Sequence, residues 1–222
     1  MQLRDYQTKA ISDLRSSFKQ GNKSPLLVMP TGSGKTVVFA QISKTLELNK
    51  KNVLILVHRK ELVDQASNKL EYVDVFHGII ASGYKGKTNN IQVASVQTLV
   101  RRLESINYKP DYIIIDEAHH AAAGTWQKII NYYKDTFKIG CTATPERLDG
   151  KGLGDYFDDM VLGPDTATLI KQGYLAPYKV YAPPFKVNLD TITTKRWDYS
   201  KPELVEEMSK TSIIGDAVEQ YR

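Results

Sequence analysis

Only one cysteine, Cys141, occurs in the 222 residues, so the chain cannot close a disulfide on itself. A lone Cys in an apolar stretch usually serves as a small buried side chain. Four histidines, two of them adjacent, offer no metal-ligand spacing with that single Cys. No apolar run approaches the ~20 residues that span a bilayer. The opening residues MQLRDYQTKA lack the apolar core of a signal peptide. Internal repeats and low-complexity tracts are also missing. These absences lead to the expectation of a cytoplasmic protein without a membrane partner. Charge is not strongly one-sided either. With 30 basic against 25 acidic residues, the net +5 leans towards a polyanionic partner without deciding it. Hydrophobic residues at 41% and charged residues at 25% suit a globular chain, long enough for one large domain or one domain plus part of another.

What is present is a succession of short apolar runs separated by helical spacing. Residues 3–20 place apolar side chains at 3, 6, 10, 11, 14 and 18, which predicts a helix ended by Gly21-Asn22. Strands are predicted at Leu26–Met29, Val53–Val57, Ile91–Ala94, Tyr112–Ile115 and Phe137–Cys141. Helices are expected over Val37–Leu48, Glu61–Leu70 and Thr125–Asp135, with another opening at Ser95. Unalternating apolar strands are those covered on both faces, and strands alternating with helices argue for a doubly wound parallel sheet of the α/β class. Residues 78–90, rich in Gly, Lys and polar side chains, read as a loop, and beyond Asp149 the pattern weakens. Residues 183–202, with Pro183-Pro184 and Pro202, read as a linker. Two short helical pieces are expected over 203–222.

The stretch Met29-Pro-Thr-Gly-Ser-Gly-Lys-Thr36 joins a strand to a helix. Its glycines let successive N–H groups turn inward as a phosphate nest at a helix N-terminus. Thr31, Gly32, Ser33 and Gly34 form the nest; Lys35 supplies a charge for the β/γ-phosphates and the Thr36 hydroxyl a ligand for Mg²⁺. The strict pattern wants glycine six residues before the lysine, where this chain has Met29. The second element is Asp116-Glu117, at the end of an apolar strand. Two adjacent carboxylates there divide into a metal ligand, Asp116, and a base for the attacking water, Glu117.

Joined to the phosphate loop and to Thr142-Ala-Thr-Pro145, the string Asp116-Glu-Ala-His119 resembles the first RecA-like motor domain of a superfamily-2 helicase of the DEAD/DEAH-box type. Within it, the chain is most similar to RadD-like and XPB-like DNA helicases, over about residues 3–180. The resemblance implies ATP and Mg²⁺ as cofactors and nucleic acid as partner, DNA in preference to RNA. It also implies roles for matching positions. Leu3-Arg4-Asp-Tyr6-Gln7 resembles the adenine-reading motif, with Arg4 and Gln7 on the cofactor; the alternative for Gln7 is an exposed side chain on an amphipathic helix. His58-Arg59-Lys60-Glu61-Leu62 resembles a motif gripping the nucleic-acid backbone, for which a solvated charge is the alternative at Arg59. Ser95-Val-Gln97-Thr98 resembles a second such motif, or else a plain helix cap. His119, Thr142 and Thr144 correspond to residues coupling the ATP site to strand grip; His120 stays unassigned. Lys85 and Arg147 are weaker basic candidates, and Tyr84 is a base-stacking or packing residue.

The domain expectation is a RecA-like unit over 1–180, a linker over 181–210 and the start of a second RecA-like unit at 211–222. In this family ATP lies between two such units, and the second supplies an arginine finger, in related phosphoryl transfers worth about 10³–10⁵ in rate. The 222 residues by themselves are therefore expected to bind ATP·Mg²⁺ and to hydrolyse it slowly. The leading functional reading is an ATP-dependent DNA helicase or translocase. An RNA helicase and an ATP-gated nucleic-acid-binding module remain as alternatives.

Overall fold

The computed structural model describes residues 2–84, 86, 89–145, 152–179, 193–195, 198–199, 202–203 and 205. Two compact units divide the chain, Met1–Ala176 and Pro177–Arg222. The first is built on seven strands: β1 Pro25–Val28, β2 Val53–Val57, β3 His77–Ile80, β4 Ile91–Ser95, β5 Tyr112–Asp116, β6 Phe137–Thr142 and β7 Asp159–Leu162. They lie in the order β3-β4-β2-β5-β6-β1-β7, and every neighbouring pair is parallel.

Alternation along each strand divides the core into two layers. Leu27, Ile55, Val93, Ile114, Ile139 and Cys141 face one side, with helices α1 Asp5–Lys19, α2 Lys35–Leu48 and α3 Lys60–Tyr72. Leu26, Leu54, Leu56, Ile113 and Ile115 face the other, with α4 Val96–Leu99 and α5 Gly124–Tyr132. Both faces of the central strands are thus dry, which is why they read as unbroken apolar runs. Burial of the Cys141 thiol raises its pKa, as expected of a packing residue.

Two expectations are corrected at the edges. The stretch read as a loop from residue 78 begins with most of β3, and β7 lies where the pattern weakened. Both are four-residue edge strands, half-exposed and interrupted by Gly78 or by the charge of Asp159, so neither carries the doubly covered apolar signature. The helix opening at Ser95 is a single turn. Helix α6, Thr166–Lys171, closes the unit, capped by the Asp165 carboxylate accepting from the Thr168 N–H at 2.6 Å.

In the second unit, β8 Thr194–Lys195 and β9 Asp198–Tyr199 pair antiparallel, and the Thr193 N–H donates to Glu203 at 2.7 Å. The expected second RecA-like start, residues 211–222, lies outside the described residues, as do Lys85 and Arg147. Among the described residues no helix is long and apolar enough to cross a membrane.

Candidate functional site

In a parallel sheet all strands end on one side, and ligands settle beyond those carboxyl ends. Five strand ends here carry the residues singled out in the sequence. In spatial order they are Ser95 on β4, His58-Arg59 after β2, Asp116-Glu117 on β5, Thr142 on β6, and the Met29–Thr36 loop after β1. With strands ~4.8 Å apart, the acid pair stands roughly 10 Å from the β1 row.

The loop after β1 takes the conformation its glycines allow. Gly32 and Gly34 have φ of 79° and 85°, and Gly34 is the residue from which α2 starts. Ser33 is buried, its hydroxyl donating to the Pro30 carbonyl at 2.6 Å. Lys35, also buried, folds back so that its ammonium donates to the Met29 and Pro30 carbonyls at 3.2 and 3.4 Å. Thr36 is half-buried beside it, and Thr31 and Gly32 are exposed. Met29, at the place of the missing glycine, is fully buried. Room for it comes from Gly163, where a Cβ would stand 2.6 Å from Met29 Cγ.

Helix α1 delivers its N-terminus to this loop. Gln7 is not the exposed side chain of the alternative reading but is 3% exposed. Its Nε2 donates to the Ser33 carbonyl at 3.0 Å, and its Oε1 accepts from the Arg4 N–H at 3.0 Å. The Tyr6 hydroxyl donates to the same Ser33 carbonyl at 2.8 Å. Glycine is favoured at 34: its φ is left-handed, and a Cβ would lie 2.5 Å from Gln7 Nε2 and displace that amide.

On β5, burial and then the charge of Glu117 push the Asp116 carboxyl up to about 6, against the pull of the Glu117 N–H and of Lys35. Glu117 sits in the left-handed region with φ 51° and ψ 53°. That twist turns its carboxylate back towards His119, whose Nδ1 is 3.3 Å from Oε2. The same Nδ1 is 3.2 Å from the Thr142 hydroxyl. Thr142 has one proton, donated to the Thr144 carbonyl at 2.8 Å, while the Thr144 N–H donates to its oxygen at 3.2 Å. His119 must therefore be the donor to Thr142, which places a proton on Nδ1. Thr142 is fully buried and Thr144 exposed, so the connection runs from inside to surface.

Towards β2 the rings form a file that sequence reasoning missed. His120 lies 4.2 Å from His119 and 5.1 Å from His58 between ring centres, and His58 stacks at 6.4 Å on the buried Trp126 of α5. Burial and the neighbouring histidines lower the His120 pKa. The adjacency of the two histidines was visible in the sequence; the Trp126 contact was not, because it joins α5 to a residue far earlier in the chain, just after β2. Arg59 is exposed at the start of α3, as is Gln97 on α4. Ser95 is buried at the N-cap of α4, without a side-chain cap hydrogen bond, and Thr98 is half-buried. Tyr84 donates to Asp64 and lies under Lys60, so it is packed as α3's neighbour.

A phosphate loop after β1, an acid pair two strands away on the central β5, and small and basic residues beyond it define the N-terminal RecA-like unit of a superfamily-2 helicase. The family described as type III restriction enzyme, res subunit, matches residues 1–147, and the chain belongs to it. A 51.5 kDa protein of a Lactococcus phage is 38% identical over 88% of this chain and 40% of its own length. The Saccharomyces cerevisiae putative ATP-dependent helicase IRC3 is 32% identical over 99% of this chain and 34% of its own. The chain thus spans well under half of either relative. Among solved structures, the type ISP restriction-modification enzyme LlaGI, as a nuclease-deletion mutant in complex with a DNA substrate mimic, matches with a TM-score of 0.64. That match, at 19% identity, covers 78% of this chain and 21% of the enzyme.

Proposed function

We propose that the chain is the ATP-binding motor unit of a DNA helicase or translocase, with ATP hydrolysis as its chemistry. The observation that carries the reading is the order along one sheet edge. The phosphate loop and the acid pair occupy β1 and β5, and the phosphate-gripping candidates occupy β2 and β4 on the far side of the acids.

In this reading the backbone of residues 31–36 receives the phosphates, and the Lys35 ammonium exchanges its loop carbonyls for phosphate oxygens. Arg4 and Gln7 flank the base; the Gln7 amide keeps one N–H and one lone pair beyond its bonds to Ser33 and Arg4. The donor set fits a hard cation, with a carboxylate oxygen from Asp116 and a hydroxyl from Thr36. Mg²⁺, when bound, neutralises charge on the β- and γ-phosphates. Glu117 orients the attacking water and takes its proton on the carboxylate that His119 steadies. His119, Thr142 and Thr144 carry the change to the surface, where His58, Arg59, Ser95, Gln97 and Thr98 meet the strand. DNA is favoured because LlaGI, of the same fold, was solved with a DNA mimic.

The test is MgATP binding and turnover with single-stranded DNA or RNA, in wild type, Lys35→Ala and Glu117→Gln. The expected result is binding by wild type and Glu117→Gln, binding weakened at least tenfold in Lys35→Ala, and no turnover in Glu117→Gln. Unaltered ATP binding in Lys35→Ala overturns the assignment, and stimulation by RNA alone moves the substrate to RNA.

A further inference from the structure

Helix α6 ends in a turn whose direction has a consequence for the nucleotide site. Gly173, at φ 75°, donates its N–H to the Ile170 carbonyl at 2.9 Å, and the Tyr174 N–H donates to Leu169 at 2.8 Å. This pair of bonds is a Schellman motif, which reverses the chain sharply and requires the left-handed residue that glycine supplies. The reversal aims the next two side chains back at the phosphate loop. Leu175 comes to rest over Gly32, its Cδ2 3.0 Å from where a Cβ would stand. The Tyr174 ring packs edge-on against Tyr6 at 5.3 Å between centroids and lies 4.8 Å from the Arg4 guanidinium carbon. The same guanidinium is also held by Nη1 donating to the Tyr6 hydroxyl at 2.9 Å, and that hydroxyl reaches the Ser33 carbonyl.

An exposed arginine at a helix start normally samples many rotamers. Here an aromatic face and a phenolic oxygen fix the guanidinium plane beside the phosphate loop, although Arg4 itself stays exposed. A planar, weakly hydrated cation held this way stacks on a purine better than a mobile one, because its ordering entropy is already lost.

We propose that Tyr174 is a positioning residue for the nucleobase: it holds Arg4 as a flat shelf on the base side of the phosphate loop. The proposal rests on the reading of that loop as an ATP site and adds to it a residue from the far end of the unit. Tyr174 acts through Arg4, so its removal costs base affinity and leaves phosphate affinity alone.

The experiment measures dissociation constants of the full chain for MgATP and for magnesium tripolyphosphate in wild type, Tyr174→Ala, Tyr174→Phe, Arg4→Ala and the double variant. Loss of one cation–π contact at an exposed arginine predicts roughly two- to fivefold weaker ATP binding in Tyr174→Ala. Tripolyphosphate affinity stays unchanged, Tyr174→Phe restores ATP binding, and the double variant binds no worse than Arg4→Ala. Equal ATP affinity in wild type and Tyr174→Ala overturns the proposal. Parallel loss of ATP and tripolyphosphate also overturns it, by making Tyr174 a support of the loop as a whole. Failure of wild type to bind either ligand removes the ATP-site reading itself and the proposal with it.

Discussion

The Thr142 hydroxyl meets His119 Nδ1 at 3.2 Å while donating its own proton to Thr144 at 2.8 Å. A single oxygen at the end of β6 thereby fixes the tautomer of a histidine beside the acid pair and the backbone of the loop that follows. Thr142→Val keeps the shape and removes the hub. It removes two hydrogen bonds to Thr144, whose exposed backbone then turns to water, at a cost of about 0.5–1.5 kcal/mol, measurable by urea denaturation. Turnover falls further than stability alone explains, because His119 is released from its tautomer; equal ATPase in Thr142→Val and wild type contradicts this.

Asp116 gives a pH signature. Its folded-state carboxyl is raised to about 6 from an ordinary value of 3.8. The native state therefore binds the proton more readily than the unfolded chain, and stability falls as pH climbs through that interval. Below 3.8 the penalty is absent, and above about 6 it is complete. Asp116→Asn removes it, so without nucleotide or Mg²⁺ the variant is more stable than wild type by about 1–3 kcal/mol at pH 8. The gain disappears by pH 4. A gain that persists at pH 4 assigns the effect to packing instead.

Glu117 occupies a left-handed conformation, at φ 51°, that a non-glycine residue holds only under constraint. Glu117→Gly relaxes it. Its melting temperature is expected to equal or exceed that of wild type, by up to ~1 kcal/mol in stability, while ATP turnover is lost. Glu117→Gln keeps the strain and shows no such gain. A destabilised Glu117→Gly shows that the His119 contact outweighs the backbone cost.

Restoring the strict glycine pattern is predicted to harm the fold. Met29 is fully buried against Gly163. Met29→Gly opens a cavity and adds backbone entropy to the unfolded chain, a loss of about 2–5 kcal/mol by analogy with buried Met→Ala changes. Denaturation midpoints decide it; a neutral Met29→Gly means that β7 closes over the space.

The inner strands β1, β2, β4, β5 and β6 were legible because each is buried on both faces and reads as an apolar run. The edges β3 and β7 were not: His77-Gly-Ile-Ile80 and Asp159-Met-Val-Leu162 are half-wet and pair on one side only. Locally encoded chemistry, the loop at 29–36 and the acids at 116–117, was visible as contiguous strings. Gln7 was legible only as part of the string Leu3-Arg4-Asp-Tyr6-Gln7; that it is buried beside Ala10, Ile11 and Leu14 came from the structure. Tyr174 on Arg4 and Trp126 under His58 were not, because residues distant in sequence meet there only after the sheet is assembled.

The placement of β1 has a consequence for synthesis. Its ladder partners are β6 on one side and β7 on the other, both made long after it, while β2, β4 and β5 can pair among themselves earlier. As the chain leaves the ribosome, the residues of the phosphate loop emerge before both strands that seat them. The loop has no strand to hang from until Thr142 is translated, and no room for Met29 until Gly163 follows. Competence to bind nucleotide is thereby a late event in the folding of this unit, a signal that nearly all of it is in place.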